Sequence, residues 1–323
     1  YSDEFRKFNT YLRDYTGNKL YRIGSGASDY DYNWTEVLMD KIGNRMQGVS
    51  LHYYTCSGWE GSKGSATKFD NDQYYWALGK CLEIEEVIKK HKAIMDEKDP
   101  KNEVGLLVDE WGTWWDEEPG TIAGHLYQQN ALRDAFVASL SLNVFHKYTD
   151  RVKMANIAQI VNVLQSMILT DQEGTGHMVL TPTYHVFKMY TPFQEATYLP
   201  IDLPTETIQV SKAYFKEKEG AKDAGYRPCP MLSASAAKTT DGSLVLAITN
   251  VSLDKAQTID FNLDGYQAKS VSGEILTSKK VDDFNDFQHP EVVAPKPFNA
   301  AKLKKGMLTG EVPAKSIIVL NIK

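Results

Sequence analysis

The chain has 323 residues, 42% of them hydrophobic and 24% charged, with a formal net charge of -6. That length allows about two domains at roughly 150 residues each, and the composition is that of a globular chain rather than a disordered one. The acidic balance gives no electrostatic reason to bind nucleic acid, no apolar run approaches the roughly 20 residues that cross a bilayer, and no signal peptide is evident.

The chain opens on Tyr1 inside a helical pattern, with Phe5, Phe8, Leu12 and Tyr15 at helical spacing, and reads as the middle of a longer protein. Gly17 and Asn18 break that helix, and residues 19–23 read as a strand. A second helix is expected over residues 34–46, then a strand over 48–54 (GVSLHYY) and a Gly/Ser-rich loop over 57–67, of the kind that carries function in barrel enzymes. A long amphipathic helix follows over 70–97. Residues 104–110 form an apolar run ending in acid, the profile of a strand buried on both faces of a parallel sheet. A helix over 125–145, a strand over 151–158 and a helix near 183–190 complete the first half.

Strand and helix alternate at a spacing that favours βα units, and without a Gly-rich dinucleotide signature they point to a barrel rather than a doubly wound sheet. Four strands are half of such a barrel. After Tyr198 the texture changes to short strands, at 244–250, 258–263, 270–276 and 316–322, with an Asp241-Gly242 hairpin signal before the first. The expected division is a partial (β/α) barrel over 1–197 and a β-sandwich over 198–323.

Polar residues at the carboxy-terminal ends of barrel strands are the first candidates for chemistry. Asp109 and Glu110 end one strand, followed by Trp111, Trp114 and Trp115. Strict alternation sends adjacent residues to opposite faces, so only one of the two carboxylates is expected inside the barrel mouth. For either, a salt bridge or a helix cap competes with catalysis. His52 and Tyr54 share a face at the end of another strand, where they could orient a carboxylate or form part of a satisfied core. Asp31 or Asp29 is expected to cap the helix at Trp34 more readily than to supply a second carboxylate. Glu173 and His177 lie in a Gly-rich loop with no third ligand, and Cys56, Cys81 and Cys229 are too scattered for a disulfide framework or a zinc site, so no metal or cofactor is expected. Aromatic clusters at 74–76 and 111–115 are candidates for sugar stacking or for core. The short basic runs at 89–92 and 302–305 read as solvated faces.

The segments YSDEFRKFNTYLRDY, DYNWTEVLM, GVSLHYYT, LLVDEWGTWW, DRVKMANIAQIVNVLQSMILT and LTPTYHVFKMY together resemble glycoside hydrolase family 51, the α-L-arabinofuranosidases, over roughly residues 1–195. The resemblance implies a (β/α)8 TIM barrel followed by a β-domain, and retaining exo-hydrolysis of terminal arabinofuranosyl groups without a cofactor. By that resemblance Glu110 is the nucleophile on the seventh barrel strand, and His52 and Tyr54 on the sixth hydrogen-bond around it. Trp114 resembles an aromatic wall of the sugar pocket, Gln159 a glutamine that bonds the arabinose, and Asp109 becomes structural.

The sequence departs from the family pattern at one point. The family's acid/base glutamate sits in a GNE motif at the end of strand four, and these 323 residues contain no such motif. The resemblance therefore implies a partner for this chain, either the amino-terminal half of the barrel or a second chain, because unpaired barrel edges are costly. Homo-oligomers are also expected from the family. A non-catalytic sugar-binding or scaffold protein and another retaining barrel glycosidase, such as a β-xylosidase, are the alternatives.

Overall fold

The computed structural model describes residues 1–171, 173–208 and 229–323. Gln172, in the loop with Glu173 and His177, lies outside the described residues, as does the stretch 209–228.

Four parallel strands, β1 (Ile23–Ser28), β2 (Gly48–Thr55), β3 (Gly105–Thr113) and β4 (Val152–Ile157), lie side by side in chain order. The two central strands come from the apolar runs GVSLHYYT and GLLVDEWGT, and each is buried along most of its length. Helices α1 (Ser2–Asn9), α2 (Tyr32–Ile42), α3 (Asn71–Leu82), α4 (Ile84–Lys98), α5 (Leu132–Lys147) and α6 (Pro182–Met189) alternate with or flank them. Val49, Leu51, Leu106 and Val108 pack in one core with Leu38, Leu78, Val87, Phe136 and Leu140 of the helices. Each fully buried aliphatic side chain of this kind stabilises the fold by about 1.5–3 kcal/mol relative to exposure. The edge strands β1 and β4 pair with no further strand of this sheet among the described residues, and Ile23 and Met154 on them are exposed.

Helix starts follow the side-chain chemistry. Asp31 caps α2 by accepting from the Trp34 amide at 3.1 Å, the role expected of one aspartate of that loop. Asp70 and Gln73 form a reciprocal capping box on α3, with contacts of 2.8 and 2.9 Å.

Several expected boundaries move. The first helix ends at Asn9, and Phe8, Tyr11, Leu12 and Tyr15 are exposed, so their helical spacing does not mark a buried stripe. Residues 19–22 are not a strand; β1 begins at Ile23, and its Gly26 lies so close to β2 that a Cβ would meet the Ser50 carbonyl at 1.5 Å. The long helix is two helices broken at Glu83. The helix expected from residue 125 starts at Leu132, because Gln128 and Asn130 are buried as loop residues that hydrogen-bond Thr113, Trp115 and the Leu164 carbonyl. A short hairpin, Ile168–Thr170 with Met178–Leu180, was not legible in the sequence.

The later part of the chain forms a six-stranded antiparallel sheet over a three-stranded one. Strand Leu244–Asn250 sits between Leu232–Lys238 and Ser316–Ile322, with seven paired positions on each side and no register shift. Thr239 and Gly242 close the hairpin before it, where the Asp241-Gly242 signal lies. Val245 and Ala247 face α5, while Leu246 and Ile248 meet Ile259, Leu308 and Val312 of the three-stranded sheet. Helix α5 is therefore buried nearly all round, between the parallel sheet and the sandwich. Its polar residues find partners across the junction: Asn143 donates to Ser233 Oγ at 3.1 Å, Ser139 accepts from Thr249 Oγ1 at 3.0 Å, and His146 Nδ1 lies 2.8 Å from Ser235 Oγ.

Candidate active site

The face of the parallel sheet opposite the helices carries a polar cluster at the strand ends. Alternation along β2 sends Tyr53 to the helix side, where its hydroxyl donates to the Lys80 carbonyl, and puts Ser50, His52 and Tyr54 on the other face. Along β3 the alternation fails. Ser50 pairs with Leu107 and His52 with Glu110, while on the other side Ala155 pairs with Val108 and Ile157 with Trp111. Three residues of β3 thus span two of each neighbour, a bulge that holds one extra residue at 109–110. Trp111 returns to the helix side, against Phe145 and Phe187. The expectation that Asp109 and Glu110 face opposite ways is corrected by this bulge: both reach His52.

The contacts are specific. His52 Nδ1 lies 2.8 Å from Glu110 Oε2, and His52 Nε2 lies 3.4 Å from Asp109 Oδ1. Tyr54 Oη donates to Glu110 Oε1 at 2.5 Å, and Ser50 Oγ donates to Asp109 Oδ1 at 2.7 Å. Asp109 raises the His52 imidazole above its ordinary value through its contact; partial burial opposes this, and the charges of Glu110, Asp109 and Asp29 reinforce it. Burial alone would raise the Asp109 carboxyl, but the His52 and Ser50 contacts outweigh it and hold the group below the usual range. Burial, together with the Glu110 hydrogen bond and charge, pushes the Tyr54 phenol up, so the hydroxyl stays a donor.

An aromatic corner adjoins these groups. Tyr54, Trp59 and Trp114 meet edge to face, with ring centroids 5.1 Å apart for Tyr54 and Trp114 and 5.4 Å for Trp59 and Trp114. Trp59 is 55% exposed, so its ring is available to a ligand. It belongs to the loop after β2, which Asp116 fastens by accepting from the Lys63 amide at 2.7 Å, the Gly64 amide at 3.2 Å and the Ser62 hydroxyl. Lys63 Nζ sits 5.6 Å from the centre of the Trp114 ring. The end of β3 is locked from behind: Thr113 donates its hydroxyl to Asp134 at 2.7 Å and its amide to Gln165 at 2.8 Å. Gly112, at φ 145°, has room for no Cβ without crowding Gln165 at 3.2 Å.

Of the five residues singled out in the sequence, Glu110, His52 and Tyr54 are joined by direct contacts, and Trp114 touches Tyr54. Gln159 stands apart. It is exposed just past β4, two residues beyond Ile157, and its side chain bonds none of the other four among the described residues. Ser50, Trp59 and Asp116 belong to the site or its support and were not legible as such, Trp59 carrying only the signal of its long loop. Asp109, a strand-end candidate in the sequence that the resemblance made structural, shares the face of Glu110 through the bulge. The aromatics at 74–76 and Trp111 and Trp115 are largely core: Tyr74, Trp76, Trp111 and Trp115 are buried. Among the described residues no group of three or more His, Cys, Asp or Glu could hold a metal ion. No helix of the described residues is long and apolar enough to cross a membrane. A cavity of about 660 Å³ at the other end of the strands is lined by Lys41, Arg45, Lys98 and Lys101 among others and is remote from this cluster.

Residues 109–316 match the model of the α-L-arabinofuranosidase C-terminal domain family. The whole chain is 58% identical to an intracellular exo-α-L-arabinofuranosidase of Bacteroides ovatus, and 85% of it aligns at 23% identity with an intracellular exo-α-(1→5)-L-arabinofuranosidase of Streptomyces lividans. It spans about 60% of the length of the first and 40% of the second. Among solved structures, a family 51 arabinofuranosidase from Xanthomonas axonopodis pv. citri superposes over the whole chain with a TM-score of 0.91 at 41% identity, and the chain covers 62% of it. A Thermotoga petrophila enzyme of that family, at 22% identity and a TM-score of 0.72 over 93% of the chain, shares the fold.

Proposed function

The chain belongs to the α-L-arabinofuranosidases of glycoside hydrolase family 51, as the carboxy-terminal half of a (β/α)8 barrel with its β-sandwich, and from that premise we propose that it supplies the nucleophile half of a retaining exo-arabinofuranosidase site. The observation that carries this reading is the Glu110 carboxylate, held at one oxygen by Tyr54 and at the other by His52, at the carboxy-terminal end of a barrel strand beside an open aromatic corner.

In this proposal a Glu110 oxygen attacks the anomeric carbon of a terminal arabinofuranosyl group. The bond from that carbon to the leaving oxygen breaks, and the leaving oxygen takes a proton from a general acid. Water then displaces Glu110 with help from the same acid/base group. Asp109 does not suit the acid's part, because its contacts hold it ionised. The acid/base carboxyl and barrel strands one to four are assigned to the part of the relatives' length that this chain does not span. That part would also pair the open edges of β1 and β4. In this reading Trp114 and Trp59 offer faces to the C–H surfaces of the sugar or its leaving group, and Gln159, two residues past the next strand, is assigned a ring hydroxyl. We divide the chain near residue 198, where strand Thr197–Leu199 joins the edge of the six-stranded sheet.

The test uses the complete gene product and an aryl α-L-arabinofuranoside. Glu110→Ala is expected to lower turnover roughly ten-thousand-fold or more, with partial recovery by added azide, and NMR of the unmodified enzyme's first-formed sugar should show the α anomer. Near-normal turnover in a folded Glu110→Ala protein would sink the assignment, and a first-formed β anomer would sink the retaining mechanism.

A further inference from the structure

We propose that Asp109 is a positioning residue for the nucleophile, acting through His52: it keeps the imidazole doubly protonated, so that a cation as well as the Tyr54 phenol faces Glu110. The inference rests on the reading of Glu110 given above and adds a role for its neighbour in the chain.

What decides the protonation state is charge at the two ring nitrogens, each of which lies within ion-pair distance of a carboxylate. A neutral imidazole has one N–H and one bare nitrogen, whereas imidazolium has two N–H groups. Each nitrogen of His52 faces a carboxylate oxygen, Glu110 Oε2 at 2.8 Å and Asp109 Oδ1 at 3.4 Å. Either neutral tautomer would set a lone pair against one of those oxygens. Only the doubly protonated ring meets both. The arrangement exists because the bulge in β3 brings two consecutive carboxylates to one face, and because Ser50 Oγ, two residues before His52, fixes the Asp109 oxygen at 2.7 Å.

The charged groups around the ring agree in sign. From β3 it faces Asp109 and Glu110, and from the turn after β1 it feels Asp29. Lys80 of α3 and Glu83 beside it act on Asp29 with opposite signs and are paired with each other at 2.7 Å. When Glu110 becomes a glycosyl ester its negative charge is cancelled, and one of the two carboxylates in contact with His52 is lost. Asp109 is then the remaining contact that holds the ring charged. The Glu110 oxygen can leave in the second step, taking back its electron pair, in front of a cation.

Asp109→Asn in the complete gene product separates this role from simple support of the fold. The rate against pH, from about pH 5 to 9, should lose its activity on the alkaline side at a pH lower by about one or more, the effect of removing an opposite charge in contact. A carbon-13 NMR titration of the histidines, with His52→Asn to identify the signal, should show the His52 midpoint falling by the same amount. Tyr54→Phe should slow the reaction without moving the alkaline limb, since Tyr54 touches Glu110 and not the ring's other side. A folded Asp109→Asn protein with an unmoved His52 midpoint overturns the proposal, whatever the alkaline limb does, since the general acid also titrates there. If Asp109→Asn does not fold, the unmodified protein decides: a His52 midpoint at or below the ordinary value of about 6.5 overturns it. If Glu110→Ala stays active, the nucleophile assignment fails instead, and the NMR midpoint still reports on Asp109 and His52 directly.

Discussion

The parallel sheet and the six-stranded sheet of the sandwich are built on opposite terms. Strands Leu244–Asn250 and Ser316–Ile322 pair over seven positions without a slip, and Leu246, Ile248, Ile318 and Leu320 are buried there beneath the three-stranded sheet. In the parallel sheet every pair of neighbours contains a register shift, and the residue that gains by it is the extra one at 109–110. Unbroken register places every side chain by alternation and serves packing. A slip at a strand end disobeys alternation, and here it gathers two carboxylates around one imidazole.

That contrast predicts that activity and stability respond to different substitutions. The widest separation is expected for Glu110→Ala, whose loss of roughly ten-thousand-fold in turnover corresponds to about 5.5 kcal/mol of transition-state stabilisation. Its melting temperature should stay within a few degrees of the parent, since the side chain is part-exposed. Ile318→Ala should do the reverse. Ile318 is fully buried between the strands that carry Ile248 and Ile275, so a loss of about 2–5 kcal/mol is expected in denaturant unfolding, with kcat of the folded fraction unchanged. A large kcat effect from Ile318→Ala would break the comparison.

Tyr54→Phe removes one hydrogen bond to a charged group and should cost about 1.5–3 kcal/mol, roughly 10- to 100-fold in kcat/KM, with little change in unfolding. His146 tests the junction between the two regions. Burial against Phe193 and Ser235 lowers its imidazole to about 4, so the folded state holds it neutral while the unfolded chain binds a proton below about pH 6.5. Stability should therefore fall as the pH drops from about 6.5 towards 4, by on the order of 3 kcal/mol, and level off below. His185, also lowered to about 4 by burial and Lys188, adds to the same slope. Thermal melts of His146→Gln across that range should show a shallower slope than the parent. The smallest effect is expected at Asp31→Ala, where loss of the α2 cap should cost about 1 kcal/mol in unfolding.

Much of this was legible in the chain itself. Apolar runs marked β2 to within a residue and the start of β3, because burial on both faces leaves an unbroken hydrophobic signature. The expected end of β3 fell three residues short, and β4, an edge strand exposed or half-buried at most of its positions, was placed by its spacing after a helix. The DEW motif singled out Glu110, and the HYY spacing put His52 and Tyr54 on one face of β2, where they are found. Periodicity failed where burial did not follow it. The spacing of Phe8, Leu12 and Tyr15 promised a packed helix, yet these side chains are exposed.

The sequence by itself determined which residue types stand at the strand ends and that a sandwich follows the parallel sheet, since composition, turn chemistry and hydrophobic period are local properties. Only the tertiary structure decided that Asp109 and Glu110 share a face and that Trp59 folds back beside Trp114. It also made Asp116, with no signal of its own, the anchor of that loop. The physical reason is the same in each case. A bulge is set by pairing with two neighbouring strands, and a loop by contacts more than fifty residues away, and neither is written in the period of the segment that carries it.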